Sequence, residues 1–162
     1  MKDVRPTSGR VLLALFNILG DIGGAKFLDL FSGTGHVGLE ALKRGAGSCV
    51  FVESVKPRAE AIKKTAPGEI ILALEIRRAV NWLVKREMKF NIIFADPPYN
   101  SGWCGEILKI PNIEKLFDDD CIFVIEHSSR EPFNVDDGSN FEIISRREYG
   151  ETFLTFVKEK KS

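Results

Sequence analysis

The sequence predicts an α/β fold: a mostly parallel, seven-stranded, Rossmann-like sheet with helices on both faces and an antiparallel hairpin at its C-terminal edge. Three observations predict it. From Lys26 to Phe94 short apolar runs alternate with helix-compatible stretches, as in βα units around a parallel sheet. A glycine-rich turn, Gly33-Thr34-Gly35, links the first of these runs to the helix that follows it. Near the C-terminus two apolar runs are separated by little more than Tyr149-Gly150, which suits an edge hairpin.

Taken in order, a helix is expected from Gly9 to Leu19, with Thr7 or Ser8 as N-cap and Gly20 past its end. The first strand is Lys26 to Phe31, and a helix runs from the glycine turn to about Arg44. Ser48 to Glu53 is the second strand, and a helix from Lys56 must stop before Pro67-Gly68. Glu69 to Leu74 reads as a third strand, Arg77 to Arg86 as a helix and Phe90 to Asp96 as a fourth strand. Beyond Pro97-Pro98 come a weak helical stretch at Glu106 to Leu108 and a fifth strand, Cys121 to Ile125. Phe141 to Ile144 and Thr152 to Val157 are the hairpin strands, while Asp118-Asp119-Asp120 and Asp136-Asp137 read as turns.

A chain of 162 residues is long enough for one hydrophobic core and too short for two, so a single domain is expected, a helical segment over 1–20 and a core over 21–162. No apolar run approaches the roughly 18 residues of a membrane span, and the N-terminus lacks the apolar stretch of a secretory signal. A cytoplasmic monomer is expected. Cys49, Cys104 and Cys121 are odd in number and lack Cys-x-x-Cys spacing, which disfavours a disulfide framework or a zinc site. Lys+Arg and Asp+Glu both number 23, so any contact with a polyanion must rest on local clusters.

Gly33-Thr34-Gly35-His36-Val37-Gly38 fits the G-x-G-x-x-G turn of dinucleotide sites, with Glu53 at the end of the next strand. Asp29 just before it changes the reading. A carboxylate this close would repel a pyrophosphate, whereas a sulfonium donor carrying an α-ammonium group has the opposite preference. Asp29 then attracts the cationic end of S-adenosylmethionine, and the glycines let backbone approach its carboxylate and adenosine. Glu53 can accept from both ribose hydroxyls and Glu75 from the adenine amino group. The candidate cofactor residues are Asp29, Phe31, Ser32, Gly33, Thr34, Gly35, Glu53, Ser54, Glu75, Ile76 and Asp96.

Asp96-Pro97-Pro98-Tyr99 closes the fourth strand at the same carboxyl edge, where open α/β sheets place their ligands. Two prolines fix φ and remove two N–H donors, leaving a stiff turn whose carbonyls only accept. An amine conjugated to a base is a poor nucleophile, because its lone pair is delocalised into the ring. Accepting its two N–H bonds with Asp96 and the Pro97 carbonyl favours a pyramidal nitrogen aimed at the methyl donor. Tyr99 can stack on the base, a contact worth roughly 1–3 kcal/mol. Asp96, Pro97, Pro98 and Tyr99 are therefore the candidate catalytic residues, and the chemistry needs no metal.

Asp96-Pro97-Pro98-Tyr99 together with Asp29 to Gly35 resembles the class I amino-methyltransferases. Arg5-Pro6-Thr7-x-x-Arg10-Val11, Gly38-Leu39-Glu40-Ala41-Leu42, Val124-Ile125-Glu126 and Tyr149-Gly150-x-Thr152 are similar to the RsmD family, bacterial methyltransferases of guanine N2 in small-subunit ribosomal RNA. The resemblance covers nearly the whole chain. It implies that Asp96 to Tyr99 hold the guanine, that Arg5, Thr7, Arg10 and Tyr99 lie on the RNA side, and that the partner is ribosomal RNA or the small subunit. Two features depart from the family pattern: only four residues precede Arg5, where the family usually has a basic hairpin, and Gly9 stands where it usually has Asp.

Other features carry less. His36 and His127 lack partners for a metal or a nucleophile triad, although His36 can line the cofactor loop. Arg77-Arg78, Lys85-Arg86, Arg146-Arg147 and Lys158 with Lys160-Lys161 more often mark solvated faces than RNA contacts, and Trp82 suits the core. Three alternatives remain open at this point: an adenine-N6 methyltransferase of DNA or RNA, a nicotinamide-dependent oxidoreductase, and a non-catalytic nucleic-acid-binding module.

Overall fold

A computed structural model describes residues 8–161. Helix α1 (Gly9–Leu19) starts where the Ser8 hydroxyl accepts from the Val11 N–H at 3.2 Å, and ends at Gly20 with φ 72°. There follow β1 (Lys26–Leu30), α2 (His36–Lys43), β2 (Ser48–Val52), α3 (Lys56–Thr65), β3 (Ile70–Leu72), α4 (Ile76–Lys85) and β4 (Phe90–Ala95). A one-turn helix α5 (Trp103–Glu106) and two 3-10 turns lead into β5 (Phe117–Ser128), and β6 (Phe141–Tyr149) and β7 (Thr152–Glu159) form a hairpin.

The seven strands lie in the order β3-β2-β1-β4-β5-β7-β6. The five strands from β3 to β5 are parallel, and β7 enters antiparallel between β5 and β6. Side chains alternate across the sheet, so each face buries its own set. Phe27, Phe51, Phe94, Val124 and Phe156 face α1, α2 and α3, while Leu28, Leu30, Ile93, Phe123 and Ile125 face α4 and the 3-10 turns. In α1, Leu15 and Phe16 are fully buried, and each side chain so removed from water stabilises by roughly 1.5–3 kcal/mol. Asp29 shares the alternation of Phe27 and therefore lies beneath α2 rather than in solvent.

Three departures from the sequence expectation have physical causes. The third strand is shorter than Glu69 to Leu74, because β2 turns away toward α3 after the Glu53 N–H bonds the Leu72 carbonyl, leaving Ala73 onward without a ladder partner. Asp118-Asp119-Asp120 does not form a turn. It bulges within β5, where the pairing jumps from Phe90 opposite Phe117 to Ile92 opposite Ile122, and Asp120 takes φ 58°. The hairpin strands are longer than expected, and the turn falls on Gly150-Glu151 with Gly150 at φ 62°.

Candidate active site

A cleft of about 1370 Å³ opens at the carboxyl edge of the parallel strands. On the flank expected from the sequence to take a methyl donor, the donor flank, β1 ends in a turn that Phe31 enters at φ 58°. The Ser32 N–H donates to the Val52 carbonyl at 2.9 Å, and the Ser32 hydroxyl donates back to the Asp29 carbonyl at 2.8 Å. Gly33 donates its N–H to Glu53 Oε1 at 2.8 Å, and Val55 donates to Oε2 of the same carboxylate, also at 2.8 Å. Glu53, buried itself, thus ties the glycine turn to the start of α3.

Two glycines of this flank are required by space. Gly35 has φ 79°, and a Cβ there would meet Ile62 Cγ1 at 2.9 Å. At Gly38 a Cβ would stand 2.4 Å from Phe51 Cε1 and 2.7 Å from Cys49 Sγ, so only glycine lets α2 settle on β1 and β2. The Gly38 N–H donates to Asp29 Oδ2 at 3.1 Å. Burial raises the Asp29 carboxyl to about 7, against the lowering by the Gly38 and Ser32 bonds and with a smaller push from Glu53.

Glu75 has a structural task as well as a place on the cleft wall. It is the N-cap of α4, its Oε2 accepting from the Arg77 and Arg78 N–H groups at 3.1 and 3.4 Å. Ser54, Ile76 and Thr34 line the cleft, as does His36. Sequence reasoning missed the part of the cleft wall that Trp103 forms. There the Trp103 ring packs against Phe31 at 5.7 Å between centroids, and the Arg77 guanidinium lies 4.4 Å from the indole centroid. A lone Trp on a weak helix gave no periodic signal. Trp82, expected in the core, is half-buried against it and carries the Arg86 guanidinium 3.6 Å from its ring.

On the flank expected from the sequence to take the methyl acceptor, the acceptor flank, Asp96 follows β4. Desolvation raises its carboxyl well above the usual carboxylate range, with further contributions from the charges of Glu126 and Asp29. Pro97 is buried, whereas Pro98 and Tyr99 are exposed, Tyr99 to 54%. Asn100 takes φ 57° and donates its N–H to Glu131 Oε1.

Behind that contact lies an interior strut. His127 Nδ1 faces two carbonyls, those of Glu131 at 2.9 Å and Ser128 at 3.2 Å, so Nδ1 carries the proton. Nε2 then accepts from the Thr155 hydroxyl at 2.8 Å, and Arg146 Nε donates to Thr155 Oγ1 at 3.2 Å. Burial lowers the imidazole below its ordinary value, which keeps it neutral in this role.

Asp29 and Asp96 therefore share one cleft, joined there by Glu53, Glu126 and Glu131. Arg10 does not line it. Its guanidinium lies 5.9 Å from the Tyr149 ring centroid, although the neighbouring Ser8 and Val11 reach the cleft wall. Arg5 and Thr7 lie outside the described residues. Among the described residues no group of three or more His, Cys, Asp or Glu side chains is placed to hold a metal, and no helix is long and apolar enough to cross a membrane.

The strand order, with reversed β7 between β5 and β6 and carboxylates at the ends of β1, β2 and β4, defines a Rossmann-like class I methyltransferase fold. Within it the chain belongs to the RsmD-like family, whose model, described as conserved hypothetical protein 95, matches residues 1–158. YlbH of Bacillus subtilis (strain 168), provisionally named an rRNA methyltransferase, is 30% identical over 164 residues, 96% of this chain and 88% of its own. Ribosomal RNA small subunit methyltransferase D of Escherichia coli (strain K12) is 32% identical over 126 residues, 76% of this chain and 64% of its own. The solved structure of yhhF from Escherichia coli, provisionally named a methyltransferase, superposes with a TM-score of 0.80 at 23% identity, covering 99% of this chain and 92% of that one.

Proposed function

We propose that the chain is an S-adenosylmethionine-dependent methyltransferase that modifies the exocyclic N2 amine of a guanine in small-subunit ribosomal RNA. The observation that carries this reading is the convergence of Asp29 and Asp96 on one cleft, close enough that the charge of Asp29 helps to raise the Asp96 carboxyl. The names of the relatives support the RNA substrate.

The residues present fit the cofactor. Asp29 is a buried carboxylate whose ionisation is costly without a nearby cation, and the donor's α-ammonium supplies one. Backbone at Gly33 to Gly35 can approach the donor's carboxylate, Glu53 faces the ribose side, and Ile76 with Trp103 gives an apolar wall for adenine. The bound donor supplies an electrophilic methyl group on a sulfonium. Its methionine and adenosine halves leave no role for a pyrophosphate, which this acid-lined cleft would repel.

Asp96 accepts an N–H bond of the target amine and turns its lone pair toward the methyl carbon. As nitrogen gains the methyl it must lose a proton, and the raised Asp96 carboxyl is a suitable acceptor for it. Half-exposed Tyr99 stacks on the extruded base. Methyl transfer to small ribosomal subunits, free subunit RNA and DNA, followed by nucleoside mass spectrometry, tests the reading. N2-methylguanosine from an RNA-containing substrate is expected; N6-methyladenosine would replace the target base, and no transfer to any of them would sink the activity.

A further inference from the structure

The turn Asp96-Pro97-Pro98-Tyr99 explains how an amine is held, yet it leaves unexplained why guanine rather than adenine should be chosen. The neighbouring strand offers a reason. β4 and β5 run parallel with Ala95 beside Ile125, so the next residues, Asp96 just past the end of β4 and Glu126 still within β5, lie side by side. They also share one face, because Phe94 and Val124, two residues earlier in each strand, point into the same core cluster. Both side chains line the cleft. Their proximity is felt electrostatically, since the charge of Glu126 raises the Asp96 carboxyl.

Two carboxylates set next to each other, both ionised once a cationic methyl donor sits beside them, form a pair of adjacent acceptors. The Watson–Crick edge of guanine presents the matching pair of donors, N1–H beside the N2 amine. Adenine presents an amine beside N1, a lone pair that an ionised carboxylate repels. We propose that Glu126 selects guanine by accepting the N1–H bond while Asp96 accepts from the N2 amine. A carboxylate offers about four lone-pair sites, so this bond is compatible with other partners of Glu126. The inference rests on the guanine-N2 reading and deepens it, by making base identity a property of β5 rather than of the Asp-Pro-Pro-Tyr turn.

A chemical substitution separates the two roles. 2-Aminopurine keeps the 2-amine but carries a lone pair at N1, and it can be placed by synthesis and ligation at the guanine that nucleoside mass spectrometry identifies. In single-turnover transfer the parent enzyme should methylate 2-aminopurine about 100-fold more slowly than guanine, since a site built to accept a hydrogen bond rejects an analogue lacking the donor. Glu126→Gln should slow transfer to guanine yet reduce that preference by about tenfold or more, because its amide can donate to the N1 lone pair. S-adenosylhomocysteine affinity, measured by calorimetry, should stay unchanged and report an intact fold.

Equal rates on both bases with the parent, or an equal fractional loss on both with Glu126→Gln, would overturn the inference. A loss of S-adenosylhomocysteine affinity would also overturn it, by assigning Glu126 to the cofactor. If the parent yields no N2-methylguanosine, the underlying reading fails first, and that result is distinct from a parent that methylates guanine without regard to N1.

Discussion

On the donor flank of the cleft each rim carboxylate is fixed directly by backbone N–H groups: Asp29 by Gly38, Glu53 by Val55 and, 20 residues away, by Gly33, and Glu75 by Arg77 and Arg78. On the acceptor flank the turn after β4 is held from a distance. Glu131, 31 residues downstream of Asn100, grips the end of the turn, and His127 and Thr155 hold Glu131 in place. Hydrogen bonds to charged groups contribute about 1.5–3 kcal/mol each, so the donor flank is rigid before anything binds. The acceptor flank is only as rigid as its strut. A site so divided suits a small ligand in a preformed seat on one side and a larger, adaptable partner on the other.

The separation between flanks can be broken most severely at Asp96. Asp96→Ala should slow transfer by about 10²–10³-fold while leaving S-adenosylhomocysteine affinity within about a factor of two, as single-turnover rates and calorimetry would show. A parallel loss of cofactor affinity would mean that the flanks are not separable. The rigidity of the donor flank is challenged next by Gly38→Ala, whose methyl would be driven into Phe51 and Cys49. Chemical denaturation should show a loss of about 1–3 kcal/mol, with cofactor binding weakened in step.

Asp29 gives the comparison a pH signature. With its carboxyl near 7, affinity for S-adenosylmethionine should rise about tenfold between about pH 6 and pH 8 as the carboxylate forms, and Asp29→Asn should flatten that rise. In the ligand-free protein the sign is opposite. The folded state holds this proton more tightly than the unfolded chain, whose value is 3.8, so this contribution to stability is present at low pH and lost as pH climbs through about 7. The smallest effect belongs to the strut. Glu131→Ala should slow transfer to RNA by about five- to tenfold through a less ordered turn, with no change in cofactor affinity. A thermal unfolding shift without a change in transfer would show that the strut serves only the fold.

The same division decided what could be read in advance. The βα series, the glycine turn and the Asp-Pro-Pro-Tyr turn are local patterns, and Asp29, Glu53 and Asp96 fell at strand ends where the periodicity put them. Glu126, although in a run that resembles the family, has no role written in its neighbours; the role proposed for it comes from the register of β4 against β5. Trp103 and Glu131 were illegible for the same reason, their partners Phe31 and Asn100 lying far away along the chain. The aspartate run before Cys121 misled, because a bulge inside a strand and a turn share the same composition.

The placement of β7 between β5 and β6 has a consequence for biogenesis. Thr155 lies on that last strand and anchors His127, which precedes it by 28 residues. Vectorial synthesis therefore delivers Asp29, Glu53 and Asp96 early and leaves the His127 strut incomplete until the closing strand has slotted into the sheet. β7 also sends Leu154 and Phe156 into the core on one face of the sheet and Val157 into the core on the other, so a C-terminally clipped polypeptide would lose packing on both sides of its cleft.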